Sequence, residues 1–171
     1  MILYVMRHGP AEDRSPTGRD FDRRLTQAGA ALVERSAGTL LATRGAPVPR
    51  IVASPLVRAQ QTARIVLARA GESGHGFETS EALSGEKLPL LLVEEAAALS
   101  VDTLLVGHQP TVEALVHQLA HDHDPQGVRS ALIRGFSTAV IAVLERLEPI
   151  EALAGGPGRW KLVSMLDPRR S

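Results

Sequence analysis

Short apolar runs recur along the chain and are separated by polar stretches that contain glycine and proline. The first run, from Ile2 to Met6, is apolar at every position, which is typical of a strand buried on both faces of a parallel sheet. Similar runs follow at intervals along the rest of the chain. The pattern predicts six strands, at residues 2–6, 50–53, 77–79, 101–106, 137–144 and 160–166.

Between these strands, apolar residues recur at helical spacing. The clearest case is Val112, Leu115, Val116 and Leu119, which lie on one helix face. Thr26 can cap the first turn of an earlier helix. Helices are predicted at residues 27–43, from the Ser-Pro pair at 54–55 to about 70, at 86–99 and around 112–119. Because strands alternate with helices, we expect one α/β domain over residues 1–171, with three α/β/α layers and a mostly parallel sheet.

The composition narrows the range of partners. The 171 residues carry 19 Lys and Arg against 19 Asp and Glu, so the chain has no broad positive field for nucleic acid or an acidic membrane. Cysteine is absent, which excludes disulfides, thiolate metal sites and a cysteine nucleophile. The apolar runs are shorter than the roughly 20 residues that span a bilayer, and the first lacks the basic region of a signal peptide. We therefore expect a cytoplasmic protein without a nucleic-acid or membrane partner.

Arginine and histidine follow three of the predicted strands. Arg7 and His8 end the first strand, Arg58 comes soon after the second, and His108 follows the strand at 101–106. Ligands of open α/β sheets bind at the carboxyl ends of the strands, so we expect these four side chains to meet. Guanidinium groups match phosphate oxygens, and their charge disfavours a protonated imidazole nearby. The pattern predicts a site for a phosphate dianion beside a neutral, nucleophilic histidine.

The polar segment at residues 9–24 is predicted to be a long loop, which is more often functional than idle in a compact domain. Its basic and acidic residues balance, which favours a solvated mixed surface, although the loop could also line the entrance for a substrate protein. These charged residues are Glu12, Asp13, Arg14, Arg19, Asp20, Asp22, Arg23 and Arg24.

A histidine-rich segment offers a different site. His117 and His121 lie four residues apart, on one face of a predicted helix, and Asp122, His123 and Asp124 follow them. This spacing can bind zinc or a similar ion, so a metallohydrolase is the main rival enzyme. We favour the simpler interpretation of a solvated helix end, where histidine also suits the helix dipole.

Four segments together resemble the histidine phosphatase superfamily, in the branch that includes phosphoglycerate mutases. They occur in the family's order and nearly cover the chain, and the Asp-x-Asp-Arg-x-Leu-Thr form is most similar to the phosphohistidine phosphatases of the SixA type. The segments are Val-Met-Arg-His-Gly at 5–9, Asp-Phe-Asp-Arg-Arg-Leu-Thr-Gln-Ala-Gly at 20–29, Ala-Ser-Pro-Leu-Val-Arg-Ala-Gln-Gln-Thr-Ala at 53–63 and Val-Gly-His-Gln-Pro at 106–110.

The resemblance implies roles for the residues that match these segments. His8 would be the nucleophile that accepts the phosphoryl group, and Arg7 and Arg58 would hold its oxygens. His108 would donate a further hydrogen bond to the transition state, and Gly9 would join the substrate-binding residues. Water would then hydrolyse the phosphohistidine in a second step. The resemblance implies no metal and no organic cofactor.

The chain departs from the mutase-like pattern at the general acid. Glu86 is the candidate acid, but a solvated residue at the start of a helix is the simpler interpretation of its position. An alkoxide leaving group needs a proton, whereas imidazole, whose conjugate acid has a pKa of about 6.5, departs readily. A weak or missing acid favours phosphohistidine in a protein as substrate. A general small-molecule phosphomonoesterase and a noncatalytic phosphate-binding regulatory module are the alternatives.

Overall fold

The computed structural model describes residues 1–72, 76–85, 89–120, 125–133, 136–147 and 160–170. The strands are β1 (Ile2–Arg7), β2 (Arg50–Ala53), β3 (Glu78–Thr79), β4 (Thr103–Gly107), β5 (Ile141–Arg146) and β6 (Trp160–Leu166). The helices are α1 (Gln27–Arg44), α2 (Val57–Arg69), α3 (Pro89–Ala97), α4 (Thr111–Ala120) and α5 (Pro125–Ile133). Single 3-10 turns lie at Asp20–Asp22 and Glu81–Leu83.

Over the described residues the strands form one sheet in the order β3-β2-β4-β1-β5-β6. The first four strands of this order run parallel, whereas β5 is antiparallel to both β1 and β6. The predicted α/β fold with a mostly parallel sheet is confirmed. Arg7 pairs with Gly107 in the β1–β4 register, and Ala53 pairs with Val106 in the β2–β4 register. The residues that follow these three strands therefore emerge together at one edge.

Strand β1 is apolar from Ile2 to Met6 because helices cover both faces of the sheet. Leu3 and Val5 belong to a core that contains buried residues of α3, α4 and α5. Tyr4 and Met6 point to the opposite face, where they join buried residues of α1 and α2. Alternate side chains of a strand point to opposite faces, so a strand between two helix layers needs apolar residues at every position.

Helix α1 begins and ends as its sequence predicts. The Thr26 Oγ1 accepts a hydrogen bond of 2.9 Å from the Gly29 amide, and Gly45 ends the helix in the left-handed conformation, with φ of 76°. A Cβ on Gly29 would lie 1.9 Å from the Pro10 carbonyl oxygen. This glycine therefore lets the first turn of α1 contact the chain just beyond His8.

Two parts of the architecture differ from the predicted pattern. Helix α5 was not predicted, because its buried apolar residues Val128 and Leu132 make too short a periodic signal. Strand β5 begins at Ile141 rather than near residue 137, since Ala139 adopts a φ of 65° and its amide hydrogen bonds to the Arg7 and His8 carbonyls. None of the helices in the described ranges has the length and apolar character needed to cross a bilayer.

Candidate active site

His8 lies directly after β1, and its backbone amide donates a 3.0 Å hydrogen bond to the Gly107 carbonyl. The side chain is buried, and its Nδ1 lies 2.6 Å from the Gly9 carbonyl oxygen. A carbonyl only accepts hydrogen bonds, so Nδ1 carries the ring proton and Nε2 holds the lone pair. Arg58 Nε donates to that Nε2 across 3.3 Å. The imidazole is therefore oriented with its nucleophilic nitrogen toward a guanidinium.

The surroundings of His8 keep its ring neutral. Its pKa is lowered from the ordinary 6.5 to about 4, mainly by burial and further by the charges of Arg58, Arg7 and Arg23, which together outweigh the raising effect of the Gly9 hydrogen bond. At pH 7 the ring carries no positive charge. A neutral imidazole is the form that can attack phosphorus.

Arg58 is held by three hydrogen bonds in the first turn of α2. Its Nε contacts His8, its Nη1 donates to the Asp20 carbonyl oxygen at 2.8 Å, and its Nη2 donates to the Asp20 carboxylate at 2.9 Å. The guanidinium is planar, so these partners fix its rotation. Asp20 thus binds the Nη1 and Nη2 end of the guanidinium, and the edge that carries Nε faces His8.

Arg7 reaches the same edge of the sheet from the last position of β1. Its Nη1 donates to the Gln109 side-chain oxygen at 2.5 Å and to the Phe136 carbonyl at 3.0 Å. Its Nε is buried and has no hydrogen-bond partner within the described ranges. A buried donor without an acceptor is costly, and an anion on that side of the guanidinium would satisfy it.

His108 follows β4 and stands beside His8, with the two ring centroids 4.9 Å apart. Its Nε2 lies 2.7 Å from Ser54 Oγ, whereas its Nδ1 is buried with no partner among the residues described. Burial, followed by the neighbouring His8 and Arg58, lowers its pKa to about 3. Two neutral histidines and two arginines thus lie together at this edge of the sheet, an arrangement suited to a phosphate dianion.

Sequence comparison supplies the family. The profile of the histidine phosphatase superfamily (branch 1) matches residues 3–84, a range that holds Arg7, His8 and Arg58 but not His108. An uncharacterised protein of Picosynechococcus sp. (strain ATCC 27264 / PCC 7002 / PR-6) is 38% identical over 115 residues, which cover 64% of this chain and 67% of that protein. The chain belongs to the histidine phosphatase superfamily.

Solved structures place the chain near the SixA group of this superfamily. A candidate phosphohistidine phosphatase SixA from Agrobacterium tumefaciens is 29% identical, with 96% of each chain covered and a TM-score of 0.73. A candidate SixA from Nakamurella multipartitia is 26% identical, with 94% of this chain and 93% of that chain covered and a TM-score of 0.68. The protein histidine phosphatase SixA in complex with tungstate shares the fold, with a TM-score of 0.78 at 24% identity over 99% of each chain. The family match and the two candidate SixA proteins at 29% and 26% identity support a phosphatase.

The structure brings together four side chains that the strand pattern predicted to meet, namely those of Arg7, His8, Arg58 and His108. The remaining candidate, Glu86, lies outside the described residues. So do His121 and His123 of the rival metal site. The described part of this histidine phosphatase chain contains no group of three or more His, Asp or Glu side chains that could hold a metal ion.

Residues that the sequence analysis did not single out complete the site. Asp20 was interpreted as part of a solvated surface, yet it contacts Arg58, and its other carboxylate oxygen lies 2.8 Å from Arg23 Nη1. Ser54 and Gln109 contact His108 and Arg7. Both lie inside segments that resemble the family, at 53–63 and 106–110, and their position beside Arg58 and His108 in the sequence is the available signal. Asp20 also begins such a segment, at 20–29, but its contact with Arg58 arises only when the loop folds.

Proposed function

We propose that this protein is a phosphatase that transfers a phosphoryl group to Nε2 of His8 and then releases it by hydrolysis. The hydrogen bond from His8 Nδ1 to the Gly9 carbonyl carries this proposal, because it leaves Nε2 without a proton and with its lone pair directed toward Arg58. The low pKa of His8, about 4, keeps that lone pair available at pH 7. Arg7, Arg58 and His108 bind the phosphoryl oxygens, and Gly9 orients the nucleophile.

The reaction has two displacements. In the first, the Nε2 lone pair bonds to phosphorus while the electron pair of the broken bond leaves with the substrate atom. The phosphorylated His8 ring is then a cation that retains its Nδ1 proton, and the Gly9 carbonyl stabilises it. In the second, a water oxygen bonds to phosphorus, the electron pair of the P–N bond returns to His8, and the water proton passes to solvent. Most of the rate comes from positioning and from the positive field.

The substrate class that we propose is phosphohistidine in a protein. An imidazole that carries a proton on its other nitrogen departs neutral, so it needs no acid from the enzyme. Asp20 is a poor acid, because its pKa is lowered. The hydrogen bond from Arg23 has the largest effect, and together with the hydrogen bond from Arg58 it outweighs the raising effect of burial. The candidate SixA proteins at 29% and 26% identity are described as phosphohistidine phosphatases, which supports the same substrate. We further propose that the reaction needs no metal or cofactor and takes place in the cytoplasm.

A substrate comparison tests this proposal. We expect the protein to dephosphorylate a phosphohistidine-containing protein with a kcat/KM at least about 100-fold above that for alkyl phosphates, since no positioned acid assists an alkoxide. His8→Ala is the matched control and is expected to be inactive on both. Faster hydrolysis of alkyl phosphates would favour a small-molecule phosphomonoesterase instead. Tight phosphate binding without turnover of any substrate would favour the noncatalytic module.

A further inference from the structure

Ser54 is a fully buried serine directly after β2, next to His108. Its backbone amide donates a 2.9 Å hydrogen bond to the Val106 carbonyl, which fixes it against β4. Its Oγ lies 2.7 Å from His108 Nε2 and accepts a 3.3 Å hydrogen bond from the Leu56 amide. No family role was predicted for this side chain, although it makes the only described hydrogen bond of the His108 ring.

The partners of Ser54 assign the position of its proton. A hydroxyl donates one hydrogen bond, and the Leu56 amide, being a donor, cannot receive it. Within the described residues, the remaining partner of Oγ is His108 Nε2. Ser54 therefore donates to Nε2, which must carry a lone pair. The neutral His108 ring consequently holds its proton on Nδ1.

This assignment leaves the Nδ1–H of His108 as a buried donor without an acceptor in the described structure. The ring stands 4.9 Å from His8, and the positive charges of Arg58 and Arg7 act on it. These arginines are also donors, so none of them can accept the Nδ1 proton. An anion between the two histidines would supply the missing acceptor, and a phosphoryl oxygen on His8 has the required chemistry.

We propose that Ser54 is a positioning residue that holds His108 in its Nδ1–H tautomer, so that Nδ1 donates to the phosphoryl group at His8. The inference deepens the proposed function and rests on it. In the opposite tautomer, the Nδ1 lone pair would face the phosphate oxygens, and the Ser54 hydroxyl would lose its acceptor. Both consequences would cost binding energy.

The first test measures the tautomer itself in the phosphate-free protein. Two-bond proton–nitrogen NMR spectra of 15N-histidine-labelled protein at pH 7 are expected to show His108 protonated on Nδ1. Ser54→Ala is expected to shift the His108 population toward the Nε2–H form. Thr103→Val is the matched control, because Thr103 is a buried hydroxyl at the other end of β4 that donates to the Val101 carbonyl. An unchanged tautomer in Ser54→Ala overturns the inference.

The second test measures inorganic phosphate binding by calorimetry. We expect Ser54→Ala to weaken phosphate binding about 10- to 150-fold, as is typical of one lost charge-assisted hydrogen bond, and Thr103→Val to bind phosphate as the wild type does. A pair of variants at His108 tests the same inference without changing Ser54. The amide nitrogen of His108→Asn replaces Nδ1, and that of His108→Gln replaces Nε2. We expect the Asn variant to bind phosphate more tightly, and the reverse order overturns the inference.

These readouts separate the inference from the proposed function. If the tautomer and phosphate affinity change as expected but the wild type turns over no phosphorylated substrate, the role of Ser54 in phosphate binding stands and the phosphatase proposal fails. If the wild type is an active phosphatase and Ser54→Ala retains both the tautomer and kcat, the phosphatase proposal stands and Ser54 has no positioning role.

Discussion

Replacing Arg58 with alanine removes the guanidinium that contacts the reacting nitrogen. Two of its hydrogen bonds go to Asp20, so only the edge with Nε, 3.3 Å from His8 Nε2, is left for the transferring phosphoryl group. Loss of one preorganised donor of this kind raises a barrier by about 2.7–4 kcal/mol. We therefore expect kcat to fall by roughly 100- to 1000-fold. Arg58→Lys keeps the positive charge without the planar guanidinium, and its kcat is expected to lie between those of the wild type and Arg58→Ala.

The same substitution changes the pH dependence. The charge of Arg58 helps to lower the pKa of His8, so its removal is expected to raise that pKa from about 4. The acid limb of the kcat/KM profile then moves to higher pH, because His8 must be neutral to attack. A variant that is merely misfolded would lose activity without this shift.

The assay is steady-state kinetics on a phosphohistidine peptide from about pH 4 to about pH 8, a range that includes the titration of histidine. Thermal unfolding checks that each variant is folded. Arg50→Ala is the matched control, since Arg50 forms a bidentate ion pair with Glu78 at the opposite end of β2. We expect this control to keep the wild-type kcat. A folded Arg58→Ala protein with kcat within about twofold of the wild type would refute the assigned phosphate site.

Three further predictions concern stability, metal dependence and the acid. Because the pKa of His8 is about 4 in the folded chain and 6.5 when unfolded, the unfolded state takes up the proton first as the pH falls, and stability is lost from about pH 6.5 down to 4. Chemical denaturation is expected to show that, between pH 7 and pH 5, the free energy of unfolding falls by about 2 kcal/mol less in His8→Asn than in the wild type. An equal fall in both proteins would contradict the low pKa of His8. Exhaustive chelation is expected to leave activity intact, and His117→Ala combined with His121→Ala is expected to have little effect. Activity that disappears with chelation and returns with zinc would support the histidine-rich site. Glu86→Gln is expected to leave phosphohistidine turnover unchanged, and a roughly 100-fold slower hydrolysis of alkyl but not aryl phosphates would identify Glu86 as the acid.

The elements that support the site could be predicted from the chain because their signals are local. The apolar run of β1 reflects burial on both sheet faces, and Thr26 caps α1 through its own first turn. Arg7, His8, Arg58 and His108 could be placed together because parallel strands deliver their following residues to one edge.

Contacts that depend on loop folding could not be predicted in the same way. Asp20 is only three residues from Arg23, so the sequence indicates a solvated ion pair between them. The 3-10 turn also brings Asp20 to Arg58, 38 residues away. The tautomer of His8 depends on the Gly9 carbonyl, whose direction is a property of the backbone and not of the side-chain order. Likewise, the positive φ of Ala139 has no signature in the residue type.

The most direct test of the account is to trap the phosphoenzyme. The wild-type protein is mixed with excess phosphohistidine peptide, quenched in alkali, where phosphohistidine survives, and mapped by mass spectrometry. We expect an acid-labile phosphate on His8 that forms and decays at rates compatible with turnover, and none in His8→Ala. Turnover that proceeds with no phosphate on His8, or with phosphate on another residue, would contradict the central claim.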